Sequence, residues 1–444
     1  MGSNYNELAS ITRELQGRQD LKHETISGAV KDLDKVRDAV KTEGAICDNL
    51  SLAKSIFHFL RNSCVQCKRN QDWLIECNVV LTLKDIVEIV IEPGFEPQVD
   101  DSKLLNSLKS MMLQFLGNLV AQNKSAQRAV WKVAFPKLFF SLLSHLDDKG
   151  KEILCMVIYN CMVNQRDPFE SDDCLWLVVS ILQHCKSYES SEWGLLILEL
   201  VLSSSEFPKI YQEVSCYPDI RYLLLEAVHT HIEDLNSEVR IPESNLLFLA
   251  ESFISKSNCI LRLATEVSEE LQQEAVSLLQ VLSLLCSATA HHENFKDLCK
   301  KMTLLEMAVS LLVQISDDRV SSHFSKPSVP EVSTDENDPV LGFKRDLIRL
   351  IGNMSYRIKE NQDAVRKLNG LVPILNSCNV DEKNPYIMQW AIFAIRNLCE
   401  GNQENQQLIK DLKQQGLADN DFLTSSNIDV VMENGKVRVK NKSP

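Results

Sequence analysis

The sequence predicts an all-α protein, an armadillo/HEAT-like α-solenoid of stacked helical repeats, on three observations. Leu-rich runs are broken by polar residues every three or four positions, which is the period of a helix and not of a strand. Glycine is scarce, at 14 of 444 residues. A short polar element recurs on a fixed ruler, the mark of a repeat architecture.

That element is Leu or Ile, any residue, then Asn, followed eight residues later by a second Asn and a Gln. An apolar residue comes three beyond the Gln. It reads Leu60, Asn62, Asn70-Gln71, Leu74, then Ile351, Asn353, Asn361-Gln362, Val365, then Ile395, Asn397, Asn405-Gln406, Ile409. The copy at Leu116, Asn118, Gln127, Val130 carries Ala126 in place of the second Asn. Fainter echoes are Ile158-Tyr159-Asn160 and Leu284-Leu285-Cys286 with Asn294.

Asn118 to Asn160 is 42 residues, Asn353 to Asn397 is 44, and Asn160 to Cys286 is 126, three periods of 42. A period in the forties fits two or three helices per unit. The longer intervals, Asn62 to Asn118 and Cys286 to Asn353, hold polar or Pro-bearing inserts near Glu92–Ser102 and Ser321–Val340 that are expected to loop out. Gly370-Leu371-Val372-Pro373 places a turn glycine and then a proline at the start of an apolar helix, where a missing N–H costs nothing, and Phe135-Pro136-Lys137-Leu138 repeats the proline.

Five segments follow: an N-terminal helical cap region at 1–54, armadillo-like repeats at 55–320 that diverge from about 167 to 300, a disordered acidic, Pro-bearing loop at 321–340, C-terminal repeats at 341–418, and a polar tail at 419–444. Within the tail, Val430-Val431 and Val437 flank Asn434-Gly435, the pattern of a short hairpin.

Lys plus Arg number 47 against 61 Asp plus Glu, a net charge of -14. Such a surface repels phosphate backbones, so nucleic acid is not expected as a partner, and Lys436–Lys442 reads as solvated tail. The apolar runs at Leu175–Leu182 and Leu195–Leu198 fall short of the ~18–20 residues of a membrane span, so no membrane insertion is expected. With no signal-peptide pattern at the start, the 14 Cys are expected as reduced thiols in the cytoplasm, and the sequons at Asn49, Asn123, Asn353 and Asn441 as unmodified.

No catalytic centre is expected. Neither a Walker A run nor Gly-x-Gly-x-x-Gly occurs. Cys64-Val65-Gln66-Cys67 has zinc-knuckle spacing but no second pair, so these read as thiols without a metal. His291-His292-Glu293 reads as a polar loop, since neighbours on a helix point apart. No cofactor is implied.

The recurrent Asn is the polar residue kept within apolar helices, with donors and an acceptor on one side chain. In armadillo proteins such an Asn commonly lines the concave groove and bonds an extended peptide. Asn62, Asn118, Asn160, Asn353 and Asn397 are the candidates, the alternative being that each braces the neighbouring repeat. Arg61 and Arg396, directly before their Asn, either meet acidic partners or are solvated helix charges. Four residues before each Asn stand His58, Gln114, Met156, Arg349 and Phe393, not the Trp of nuclear-import adaptors. That absence weighs against a transport adaptor carrying a cargo peptide in its groove, the second reading of the sequence. Trp390, Ile392 and Phe393 cluster near Arg396 on the last strongly patterned helix, which makes a self-association surface there, unless the tail folds over it and they are core.

The runs Phe59-Leu60-Arg61-Asn62-Ser63-Cys64, Gln114-Phe115-Leu116-Gly117-Asn118, Ser191-Glu192-Trp193 and, most specifically, Gly342 to Val365, continuing through Asn379, Gln389-Trp390 to Gln406 and Gly416-Leu417-Ala418-Asp419, resemble the ataxin-10 family. The resemblance covers roughly residues 55–440. It implies a cytoplasmic, perinuclear, midbody or centrosomal and basal-body scaffold that forms homo-oligomers through its C-terminal region. It also implies roles in neuronal survival, neurite outgrowth and cytokinesis, with O-GlcNAc transferase and a G-protein β subunit as partners.

Overall fold

The computed structural model describes residues 23–41, 46–91, 99–165, 169, 171–188, 190–234, 236–266, 268–316, 322–325, 340–412, 428–433 and 436–441. Helices dominate them, as the sequence period requires, and the one sheet among the described residues is a two-stranded antiparallel hairpin. The chain divides into two compact units, residues 1–214 and 215–444.

The first unit contains α1 (His23–Lys41), α2 (Ile46–Ser63), α3 (Lys68–Glu76), α4 (Val79–Ile91), α5 (Val99–Val120), α6 (Lys124–Ala134), α7 (Lys137–His145), α8 (Asp148–Met162), α9 (Asp172–Ser187), α10 (Glu192–Leu202) and α11 (Phe207–Glu213). Helices α2, α5, α8 and α10 form an inner row in which each packs on the next. A second layer covers one side of that row, with α4 against α1, α6 and α7, and α9 against α7 and α11.

The second unit repeats the plan. It runs α12 (Pro218–Glu233), α13 (Glu243–Lys256), α14 (Asn258–Arg262), α15 (Glu269–Ala290), α16 (Lys296–Cys299), α17 (Met302–Ile315), α18 (Phe343–Met354), α19 (Lys359–Lys367), α20 (Leu371–Asn376), α21 (Ile387–Cys399) and α22 (Gln403–Asp411), then β1 (Ile428–Glu433) and β2 (Lys436–Asn441). Its inner row is α12, α15, α18 and α21, with α13 and α17 stacked behind. In chain order, α10 and α12 fall between α8, which carries Asn160, and α15, which carries Cys286. The interval of three periods therefore contains three steps of inner-row helix.

Inner-row helices are apolar on more than one stripe because they are covered on more than one side. Leu347, Ile348, Leu350 and Ile351 of α18 are all fully buried, as are Phe57, Phe59 and Leu60 of α2. Each such side chain contributes about 1.5–3 kcal/mol relative to exposure. Helix α15, with 22 residues, is long and apolar enough to cross a membrane by length and composition. Most of its apolar side chains are buried inside the protein, between α12 and α18, with Val276 exposed.

One inner-row contact depends on glycine. Gly352 of α18 lies against α21 so closely that an added Cβ would come 3.0 Å from both Cα and Cβ of Ala394. Gly117 of α5 faces only the methyl end of Met156 of α8, a flexible side chain that can move aside. Gly352 stands directly before a ladder Asn, so close backbone approach and the polar element coincide there.

The hairpin has the expected register, with Val430 opposite Val439, Val431 opposite Arg438 and Glu433 opposite Lys436, on either side of Asn434-Gly435. The 321–340 segment differs from the expected loop at both ends. Phe324 and Val340 are fully buried, and Phe324 packs on Phe343 with ring centroids 5.7 Å apart. Lys383 Nζ donates to the His323 carbonyl at 2.7 Å, and Asn384 Nδ2 donates to the Phe324 carbonyl at 2.7 Å. A lone phenylalanine in a polar stretch is enough to anchor it. The remainder, 326–339, lies outside the described residues, as do 92–98 of the other insert. Helix α5 begins at Val99, inside that insert.

Gly352→Val is expected to lower stability by about 1–3 kcal/mol, because a side chain there forces α18 from α21. A melting temperature equal to that of the parent chain counts against this close contact. Acid should loosen the second unit through Glu274. Burial raises its pKa, but hydrogen bonds from Arg221 at 2.8 and 3.3 Å and from Lys256 at 2.9 Å outweigh that and hold it below its ordinary 4.5. The folded state thus takes up this proton at lower pH than the unfolded chain. The contribution is complete above pH 4.5 and is lost as pH falls through the lowered value. Denaturant unfolding of Glu274→Gln against the parent between about pH 3 and 6 should show the gap closing as pH falls; a constant gap refutes it.

Candidate functional site

The recurring amides meet the ends of the inner-row helices. The last carbonyls of any helix have no partner inside it, and here the next repeat covers them. Asn70 Nδ2 donates to Ser63 O at 2.8 Å, Asn361 Nδ2 to Met354 O at 2.6 Å, and Asn405 Nδ2 to Leu398 O at 2.7 Å. Each bond reaches back seven residues. The neighbouring Gln repeats the step, from Gln71 to Cys64 O, Gln127 to Val120 O, Gln362 to Ser355 O and Gln406 to Cys399 O.

Gln71 and Gln362 do more. Gln71 Nε2 also donates to Asn118 O at 2.8 Å and Ala121 O at 3.2 Å at the end of α5. Gln362 Nε2 donates to Asn397 O at 2.9 Å and Glu400 O at 3.3 Å at the end of α21. Their Oε1 atoms accept from Asn123 Nδ2 at 3.1 Å and Asn402 Nδ2 at 3.2 Å, the N-caps of α6 and α22. The same two Asn donate to Asp72 at 2.8 Å and Asp363 at 2.9 Å. The Asp363 carboxyl is held below its ordinary range, first by Asn402 and then by Arg366 against the cost of burial. One identical clamp therefore occurs in each unit.

The first Asn of each element joins this network. Asn118 Nδ2 donates to Arg61 O at 3.0 Å, Asn353 Nδ2 to Cys286 O at 2.8 Å and Thr289 Oγ1 at 3.3 Å, and Asn397 Nδ2 to Gly352 O at 2.9 Å. All three reach the preceding inner-row helix, which is the bracing geometry. Asn160 Nδ2 turns back to Met156 O of its own helix at 2.8 Å, and Asn62 is buried. Sequence reading missed Asn123 and Asn402, together with Asp72 and Asp363. Their signal was present: an Asn five residues after a ladder Asn, and an Asp directly after the Gln.

A connected polar and aromatic stripe crosses the inner row of the second unit. His229 Nε2 of α12 lies 2.9 Å from Ser287 Oγ of α15 and 3.1 Å from Glu233. Arg349 Nη2 of α18 donates to Ser287 Oγ at 3.3 Å, and its guanidinium lies 4.9 Å over the ring of Trp390. Trp390 meets Phe393 edge-on at 5.7 Å, and both are half-buried. Arg396 is exposed on the same helix, as is Ile392 at 58 %, and Tyr386, the N-cap before that helix, is 72 % exposed. Arg61, in the first unit, is half-buried. His291 and His292 follow α15 in a turn, with His292 5.1 Å from the Tyr356 ring.

Most of the described thiols are buried in the helical core. Cys64 and Cys67 are buried at the end of α2, and burial pushes the Cys64 thiol well up. The Cys185 and Cys299 thiols are likewise raised to about 11, mainly by burial. A thiol so far from ionising is a poor nucleophile and metal ligand.

Two glutamines separate bracing from decoration. Gln362→Ala strands three carbonyls in two helices and is expected to cost about 3 kcal/mol. Gln406, exposed with a single carbonyl partner, should cost under ~0.5 kcal/mol as Gln406→Ala. Equal losses in denaturant unfolding would remove the clamp's special role.

The family model described as the spinocerebellar ataxia type 10 protein domain matches residues 343–440. Ataxin-10 of Xenopus tropicalis is 32% identical over 460 residues, covering 98% of this chain and 92% of that protein. Ataxin-10 of Homo sapiens is 30% identical over 91% of this chain and 85% of that protein. The ataxin-10 homolog of Dictyostelium discoideum is 54% identical over 101 residues, 22% of this chain and 17% of that protein. With inner-row helices, amide ruler and relatives in agreement along nearly the whole length, the chain belongs to the ataxin-10 family.

Proposed function

We propose that this chain is a non-enzymatic scaffold that holds other proteins, and that its second unit carries the principal contact face. The observation that carries the reading is the stripe of Arg349, Trp390 and Phe393, with Arg396 and Ile392 open to solvent beside it. Trp and Arg are the residues most enriched among interface anchors. The ladder amides, by contrast, are spent on the protein's own carbonyls, which moves recognition from Asn353 and Asn397 to the side chains around them.

Membership of the family supports the finer proposals. They are a cytoplasmic protein, perinuclear and at midbody or basal-body structures, acting in neuronal survival, neurite outgrowth and cytokinesis. Its proposed partners are O-GlcNAc transferase, a G-protein β subunit and a second copy of itself, the last through the C-terminal repeats.

The full chain carrying Ile392→Asp and Arg396→Glu tests this. Both residues are exposed, so the melting temperature should hold. Light scattering should show a smaller species, and pull-down from neuronal cytosol should recover each partner about tenfold less well. Unchanged mass together with unchanged recovery refutes the assignment of this face.

A further inference from the structure

The exposed side of α6 carries a row of cations that the repeat does not require. Lys124, Arg128 and Lys132 stand four residues apart, so they share one face of the helix, and all three are exposed. Between Asp101 and Asp147 the chain has six Lys and Arg and no Asp or Glu, in a protein whose net charge is -14. Among the described residues the three cations make no ion pair, and Arg128 Nε donates to the Lys124 carbonyl of its own helix at 3.2 Å.

Other ladder helices show what these positions hold elsewhere. Helices α6, α19 and α22 each present a Gln that bonds seven residues back, which aligns them residue for residue. Where α6 has Lys124, Arg128 and Lys132, α19 has Lys359, Asp363 and Lys367, and α22 has Gln403, Gln407 and Asp411. In α19 the lysine is answered, with Lys359 Nζ 3.3 Å from Glu404 and 3.9 Å from Asp363. Asp363 also serves the clamp, by accepting from the next N-cap. In α6, Asn164 donates to Gln127 Oε1 at 3.1 Å, but Arg128 stands where the clamp has its Asp. Helix α22 forms with no cation at any of the three positions. Stacking goes on without these charges, and α6 is left with three unanswered cations facing water.

Such a row attracts an anionic partner, and the geometry narrows its kind. Steps of four residues place the cations about 6 Å apart, in a row about 12 Å long. An extended peptide repeats its side chains on one face every ~6.6–6.8 Å, so carboxylates at alternate positions fall opposite successive cations. The row is short. At physiological salt a charge is felt over about 8 Å, so a peptide seated on the row is screened from most of the acidic surface. A nucleic acid or a lipid surface runs past the row and meets a protein of net charge -14. The apolar side of α6, with Ala126, Val130 and Ala134, is buried and has nothing to insert into a bilayer.

We propose that the exposed face of α6 docks an acidic segment of a partner protein, held in extended form with Asp or Glu at alternate positions. This face lies in the first unit and does not rest on the contact face around Trp390.

Fluorescence anisotropy on the full chain, at pH 7 and low salt, tests it. The probe is a labelled decapeptide of Glu and Thr in alternation, and its control replaces each Glu by Gln. Saturable binding of the Glu peptide is expected, weakened by added salt, with none by the Gln peptide. Arg128→Gln with Lys132→Asp, the residues that α22 carries at these positions, should weaken it at least about tenfold while the melting temperature holds. Lys410→Gln with Lys367→Asp makes the same change of net charge in the second unit and should leave binding within about twofold. The proposal fails if the Glu peptide does not saturate, if the Gln peptide matches it, or if the two variants lose affinity equally. It is also overturned if phosphatidylserine vesicles or single-stranded RNA bind the parent more tightly than the peptide does and lose that binding in the α6 variant.

Discussion

The fold rests on satisfying the carbonyls at the ends of stacked helices. In an isolated helix those groups face water, but in a repeat array the next repeat lies across them. Asn and Gln suit the place because one amide gives two N–H bonds and accepts another. Gln362 shows the full use, with its nitrogen shared among Ser355, Asn397 and Glu400 carbonyls and its oxygen filled by Asn402. Gln71 repeats it in the first unit with Cys64, Asn118, Ala121 and Asn123. Because each amide bonds seven residues back and also into the following repeat, it fixes the turn after one helix and the position of the next together.

This constraint explains why the ruler is so constant. A Gln displaced by one residue points about 100° away around its helix and misses every carbonyl. It also explains the glycine before Asn353. Asn397 reaches the Gly352 carbonyl at 2.9 Å only because α18 and α21 approach closely, and the missing Cβ permits that approach. The same economy commits the amides: Asn118, Asn353 and Asn397 each give an N–H to the preceding inner-row helix.

Much of this was legible in the sequence, for physical reasons. The ruler survives because its partners are backbone atoms, present whatever the side chains do. The three-period gap between Asn160 and Cys286 was readable because helix lengths are constrained by stacking even where the amides are gone. The hairpin was readable from Asn-Gly between valines. The role of the ladder Asn was not, since bracing a carbonyl and binding a peptide require the same side chain. Phe324 was hidden because a single aromatic gives no period. The division at 214 and 215 carries no Gly-rich or charged linker to announce it.

The divergent middle shows what replaces the amides. Glu152 of α8 accepts from Ser191 Oγ and Trp193 N at the start of α10, and Glu243 of α13 accepts from Leu298 N at 2.8 Å in α16. Arg221 of α12 is bound to Glu274 of α15. Here carboxylates meet helix N-terminal N–H groups, where the amides met C-terminal carbonyls. A carboxylate is favoured at the positive end of a helix dipole, and it does the work of a cap across a repeat boundary. The two solutions differ in where they act. The repeats that kept the amide ruler are joined chiefly by side-chain amides that give their N–H to C-terminal carbonyls, with Asp72 and Asp363 as acceptors beside them, and those that lost it chiefly by carboxylates that accept at helix N-termini.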